Sequence, residues 1–316
     1  MHAAESFDPT STPETAQLPS DHTAILAALL RRLRTCVSAR DDALFTEFLP
    51  RGYALMTLST VPAVHATELL YAKVRVGMLI TLYDDQADHP RRRDRAVLRA
   101  LCRLPFAPAT PGAPPLVHLA AALWHEVEAV IRRLPQYTLL RDLFAFDLHQ
   151  VYQAMRYSEL LGDLPALANR TENRAYLAHN MGLVLVGMMD LMALPTLPEN
   201  ELGRIRTFLL LGQEVARLSN VLCTWEREVA EGDYTSEVAA MGIEDGVIDA
   251  AAAQSPCTHA SQSLLATQVA HLSADQARLL SQVEARADSI QAFDAHRYVA
   301  GLRALHGLHQ ELQAKL

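Results

Sequence analysis

Residues 76–88 read VGMLITLYDDQAD, an apolar helix whose last turn carries three aspartates. Asp84 and Asp88 are four apart, which puts both carboxylates on one helical face. Like charges gathered there are costly unless a cation intervenes. They also oppose the negative end of the helix macrodipole, which makes a purely structural role uncomfortable. Mg²⁺, a hard ion that takes oxygen ligands and bridges carboxylates to phosphates, is the natural counterion. A solvated acidic helix end before Pro90 is the bland alternative.

Outward from that stretch the chain keeps the same character. Of its 316 residues half are hydrophobic, 20% are charged and only 13 are glycine, so a large core can be buried. Apolar residues recur at three- and four-residue steps, predicting helices over 23–40, 63–85, 116–133, 139–161, 174–194, 199–230, 261–287 and 295–315. The breaks fall at Pro62, Pro90, the proline-rich RLPFAPATPGAPP of 103–115, Pro165, Pro195 with Pro198, Gly232 and Pro256. No alternating run is long enough for a sheet. Residues 1–20, polar and rich in Pro, Ser and Thr, read as a flexible tail without the features of a signal peptide. Residues 21–316 read as one all-α domain, with 103–115 a loop inside it.

Charge and cysteines narrow the function classes. A net charge of −8 argues against a nucleic-acid surface. No run of about 18 apolar residues predicts a membrane span. Cys36, Cys102, Cys223 and Cys257 lie far apart with no metal-type spacing, as expected of reduced thiols in a cytoplasmic protein. The thirteen histidines are scattered without a metal-binding spacing.

A second constellation lies in RLSNVLCTWERE, residues 217–228. Asn220, Thr224 and Glu228 follow one another in steps of four, so an amide oxygen, a hydroxyl and a carboxylate form one stripe. All three are oxygen donors of the kind Mg²⁺ accepts. Alone, such a stripe is an ordinary polar face. Opposite an acidic motif on another helix it becomes a metal site, closed by the phosphates of a substrate.

DDQAD resembles the aspartate-rich DDxxD motif of class I terpene synthases, and Asn220-x₃-Thr224-x₃-Glu228 resembles their second metal motif. The resemblance runs from about residue 20 to the end. It implies a single-domain α-helical bundle of the class I terpenoid synthase type around a central active-site cavity. Asp84, Asp85, Asp88, Asn220, Thr224 and Glu228 would then hold three Mg²⁺ ions, or Mn²⁺ in their place. Arg227, just before the motif glutamate, and Arg297-Tyr298, which resembles a C-terminal Arg-Tyr pair, would contact the substrate diphosphate. Arg174, 46 residues before Asn220, resembles the diphosphate-sensing arginine. The segment YLAHNMG would instead put His179 or Asn180 there, with Gly182 as a candidate kink. Arg217 lies one turn before Asn220 and is a further candidate phosphate contact, whereas Arg91, Arg92, Arg93 and Arg95 read as a solvated loop. Relatives include dimers, and a homodimer is left open.

The implied chemistry is loss of diphosphate from a prenyl diphosphate, leaving an allylic carbocation that aromatic faces can stabilise. Tyr83, Phe144, Phe146, Tyr152, Tyr176, Trp225 and Phe293 are candidates, each of which could equally be plain core. No DxDD motif is present, so protonation does not start the reaction. Aromatics are only 6% of residues, and GMLITLYDDQAD and RLSN resemble small kaurene-synthase-like enzymes. Both favour a bicyclic C20 diphosphate, quenched by deprotonation or water. Farnesyl diphosphate cyclisation is the nearest rival. Chain elongation is disfavoured because Asn220, Thr224 and Glu228 stand where a second aspartate-rich motif would be. A squalene-synthase-like enzyme would need paired DxxxD motifs, which are missing. A non-catalytic helical scaffold would leave both metal motifs as coincidence.

Overall fold

In a computed structural model the structure describes residues 20–36, 41–88, 93–104, 106–250 and 263–313; among these every regular element is helical. The expected tail (1–19), Arg91, Arg92 and Cys257 lie outside the described residues. Cys36, Cys102 and Cys223 are free thiols. The long elements are α1 (Ser20–Arg34), α2 (Leu49–Leu55), α3 (Ala63–Ala87), α4 (Arg95–Leu101), α5 (Pro115–Ile131) and α6 (Tyr137–Asp163). They are followed by the single turn α7 (Arg170–Glu172), then α8 (Leu183–Met192), α9 (Leu202–Glu231), α10 (Glu237–Glu244), α11 (Ala266–Ala287) and α12 (Ala295–Leu312). Among the described residues no single helix is long and apolar enough to cross a membrane.

Helix α3 lies at the centre. From Leu69 to Ala87 nearly every side chain is buried, including Val74, Val76, Leu79, Leu82 and Tyr83. A helix apolar all round is stable only when packed on all sides, and α3 contacts α2, α4, α5, α6 and α8. The same burial takes in Lys73, 1% exposed, which is tolerable because its ammonium pairs with the buried Asp190 of α8 and bonds Thr57 Oγ1 at 3.0 Å. The 103–115 stretch is tied to the bundle: Tyr152 donates to the Leu104 carbonyl, and Phe106 stacks on His149.

The expected helix over 174–194 is not continuous. Residues Asn173–Leu177 form a π turn and Ala178–Met181 a 3₁₀ turn; the chain then bends by 44° into α8. Gly182 makes the break, with φ +64°, where a residue with a Cβ is disfavoured. Ile80 of α3 fills the space: a Cβ at Gly182 would sit 2.5 Å from Ile80 Cδ1.

Contacts along α8 set the direction of its neighbours. On α3, Lys73 meets Asp190 near the end of α8 and Ile80 meets Gly182 at its start. On α9, Arg206 Nη1 reaches Met188 Sδ at 3.5 Å, and Gln213 Oε1 accepts from Val184 N at 3.0 Å. Both helices therefore run antiparallel to α8 and parallel to each other. Residues 84–88 and 217–228 leave past the start of α8 at the same end of the bundle. From there α11 runs back along α9, with Gln276 Nε2 on Ser219 Oγ at 2.6 Å and Gln291 N on Glu201 Oε2 at 2.9 Å. The Asp294 carboxylate caps α12, which starts at the far end: Asp294 N donates to Ser59 Oγ at 2.8 Å.

Candidate functional site

On α3 the aspartates diverge. Asp84 and Asp88 are half-buried, whereas Asp85 is 1% exposed and turned into the protein. Asp88 closes the helix, its amide donating to the Asp84 carbonyl at 3.1 Å. Asp84 lies in the last turn of α3 and Asp88 is its C-cap, with φ −127° and ψ −20°.

On α9 the stripe is assembled. The Thr224 hydroxyl has two acceptors for its one proton, Glu228 Oε1 at 2.6 Å and the Asn220 carbonyl at 2.9 Å. Asn220 Oδ1 accepts from Arg217 Nη1 at 3.3 Å, and Arg217 Nη2 donates to the Thr235 carbonyl at 2.8 Å. Burial pushes the Glu228 carboxyl above its ordinary range, and the nearby Asp233 adds to this. Arg217, Thr224 and Ser236 pull the other way. The Ser236 hydroxyl approaches Glu228 without a hydrogen bond of normal geometry, so Glu228 Oε2 stays buried with no partner. Arg217 Nε is likewise buried and unpartnered.

The orphan donor belongs to a side chain that lines a narrow cleft. Arg217 and Arg174 both line it, with Glu214, Glu237, Asn173 and Leu279. The cleft is narrow and reaches about 230 Å³ only when space open to solvent is counted. Arg174 is held by Glu237 Oε1 at 2.5 Å and Asp275 Oδ2 at 2.6 Å. Burial alone would raise the Asp275 carboxyl, but bonds from Arg174 and Arg278 outweigh it and hold Asp275 below its usual range. Glu237 is raised by burial, which Arg174 and Arg170 oppose only in part.

Other expected residues are placed differently. Arg227 is exposed and pairs with Glu231 at 3.0 Å one turn on. His179 is half-buried with its ring 3.3 Å from Gln213 Nε2, and Asn180 Oδ1 is buried without a partner. Arg93 and Arg95 are engaged with Asp163, and Arg95 with Glu159 also, on α6 rather than only solvated.

Arg297 and Tyr298 stand in the first turn of α12. The helix begins beside Ser59, and Tyr298 reaches from it to the middle of α9. Tyr298 is buried in a ring cluster with Phe208 and Phe293, against Gly212 of α9. Arg297 is exposed. A dipeptide match carries no information about which end of a helix it occupies.

Among the aromatic candidates, Tyr83 and Tyr152 pack edge to face with centroids 5.5 Å apart, and Tyr83 accepts from Trp124 Nε1. Phe144 is buried, Trp225 partly so, Phe146 and Tyr176 are exposed, and Phe293 sits at the far end. Sequence spacing did not reveal Glu237 or Asp275; the only hint was the Arg170-x₃-Arg174 pair, whose charges require acidic partners.

The donor set is all oxygen. Among the described residues no three His, Cys, Asp or Glu side chains converge as a metal nest, so α9 contributes one carboxylate, an amide and a hydroxyl. Glu228 Oε2, buried and unpartnered, is the observation by which the stripe suits a hard divalent ion. No protein-family model and no curated protein matches the chain.

Proposed function

We propose that this chain is a class I terpene synthase that ionises a prenyl diphosphate, a bicyclic C20 diphosphate in the first instance, with Mg²⁺ or Mn²⁺. The observation that carries the reading is a pair of complementary orphans at one end of the bundle. Glu228 Oε2 is buried without a hydrogen-bond partner, and Arg217 Nε, on the same helix face, is buried without an acceptor. A buried group without a partner costs about 1–3 kcal/mol. A cation and an anion arriving together relieve both, and a metal diphosphate is such a pair.

Asp84, Asp88, Asn220, Thr224 and Glu228 would hold the metal, which neutralises the leaving diphosphate when bound. Asp85 is buried next to Asp84 on the same helix. Arg217 donates to a phosphate oxygen, and Arg174 lies across the cleft as a second donor once diphosphate competes with Glu237 and Asp275. The C–O bond then breaks heterolytically, the electron pair leaves with the diphosphate, and an allylic cation remains until a proton is lost or water adds. The C20 preference rests on the sparse aromatics and the resemblance of the two motif segments.

Purified protein with Mg²⁺ should be offered C10, C15, linear C20 and bicyclic C20 diphosphates, with products identified by mass spectrometry. A hydrocarbon or alcohol from a C20 diphosphate supports the reading. Turnover of farnesyl diphosphate alone moves it to a sesquiterpene synthase, and turnover of none removes the enzymatic reading.

A further inference from the structure

Arg217 does more than face the cleft. Its guanidinium is 7% exposed and lies between Asn220 Oδ1 at 3.3 Å and the Thr235 carbonyl at 2.8 Å. The Asn220 oxygen that a metal ion would need therefore already faces a positive group of the protein itself. An arginine cannot give up its charge, so only movement of the side chain relieves its repulsion of a cation at that oxygen. The anion-seeking Nε–H on the same guanidinium has no partner, which gives the side chain a reason to move when an anion arrives.

We infer that Arg217 is a resident cation that holds Asn220 out of the metal site until diphosphate draws it away, so that Asn220 becomes a metal ligand only in the diphosphate complex. The inference rests on the metal-diphosphate reading above. Coupling of this kind is a free energy shared between two ligands through one side chain, and it is reciprocal. Its consequence is order: metal alone binds through the remaining oxygens, and the full ligand set forms only around a substrate. Empty enzyme then does not carry a fully formed, positively charged metal cluster.

Binding of Mn²⁺ to the full-length protein, followed by electron paramagnetic resonance with and without inorganic diphosphate, tests this. In Asn220→Ala, Mn²⁺ affinity without diphosphate should match the wild type, and affinity with diphosphate should fall at least tenfold. In Arg217→Met, Mn²⁺ should bind without diphosphate at least tenfold more tightly than to the wild type, and the gain should vanish in Arg217→Met/Asn220→Ala. Arg174→Met removes a similar charge from the same cleft without touching Asn220, and should leave Mn²⁺ binding without diphosphate within about twofold.

Equal tightening in Arg174→Met and Arg217→Met would mean simple charge removal and would overturn the inference. An Asn220→Ala loss of the same size with and without diphosphate would overturn it too, while leaving the metal site standing. Absence of bound Mn²⁺ in wild-type protein saturated with diphosphate would instead remove the functional reading beneath it. Asn220 is only partly buried, so its variant keeps the test open even if Arg217→Met does not fold.

Discussion

Ile80 on α3 occupies the space that a side chain would take at Gly182, the residue where the chain bends by 44° into α8. That contact fixes how far residues 84–88 project beyond the start of α8. Gly182→Ala should cost about 1–3 kcal/mol through its positive φ and the collision with Ile80. Adding Ile80→Val removes the colliding Cδ1 and should recover the collision but not the backbone strain. Urea denaturation of the two variants measures both parts.

Lys73 and Asp190 form a fully buried ion pair, 1% and 0% exposed. Burial lowers the lysine and raises the aspartate, and their mutual attraction opposes both shifts. Lys73→Met should destabilise by about 3–5 kcal/mol because Asp190 is left charged and alone. Lys73→Met/Asp190→Asn should recover most of that, since asparagine can still accept from Leu58 N. Thermal melts of the single and double variants check the coupling.

How much of this was visible in the sequence depended on whether the signal was local. Asp84 with Asp88, and Asn220 with Thr224 and Glu228, are defined by four-residue steps; the second set lies wholly within α9, whereas Asp88 caps α3. Gly182 was readable as a kink, but the turns around it were not, because a π turn depends on what Tyr176 and Leu177 pack against. The partners of Arg174 are 63 and 101 residues away and belong to tertiary packing. Where Arg297-Tyr298 lies in the bundle was not legible, because two adjacent letters do not record the direction in which α12 runs.

His309 sets a pH dependence. Its ring is fully buried on α12 against Phe48, and burial brings it from 6.5 to about 4; the bond to the Leu305 carbonyl opposes this and His306 reinforces it. As pH falls below 6.5 the unfolded chain takes up a proton that the folded chain refuses until about 4. Stability contributed here is complete above 6.5 and is lost toward 4. At pH 5 the loss is roughly 2 kcal/mol. Denaturation at pH 7 and pH 5 should show this extra loss in the wild type relative to His309→Leu.

Thr224→Val removes the hydroxyl that donates to Glu228 Oε1 while keeping its shape. Both Glu228 oxygens are then without that support, and stability should fall by about 1–3 kcal/mol. The Mn²⁺ affinity measured with diphosphate present should fall at least tenfold, which a packing defect alone does not produce.

The most direct measurement is the rate of diphosphate release from a C20 prenyl diphosphate in saturating Mg²⁺, compared across wild type, Asp84→Ala, Asn220→Ala and Arg297→Ala. The account predicts losses of at least a hundredfold in the first two variants, which lie on different helices at one end of the bundle, and an unchanged rate in Arg297→Ala at the other end. Release that persists in both Asp84→Ala and Asn220→Ala, or that fails equally in Arg297→Ala, would contradict it.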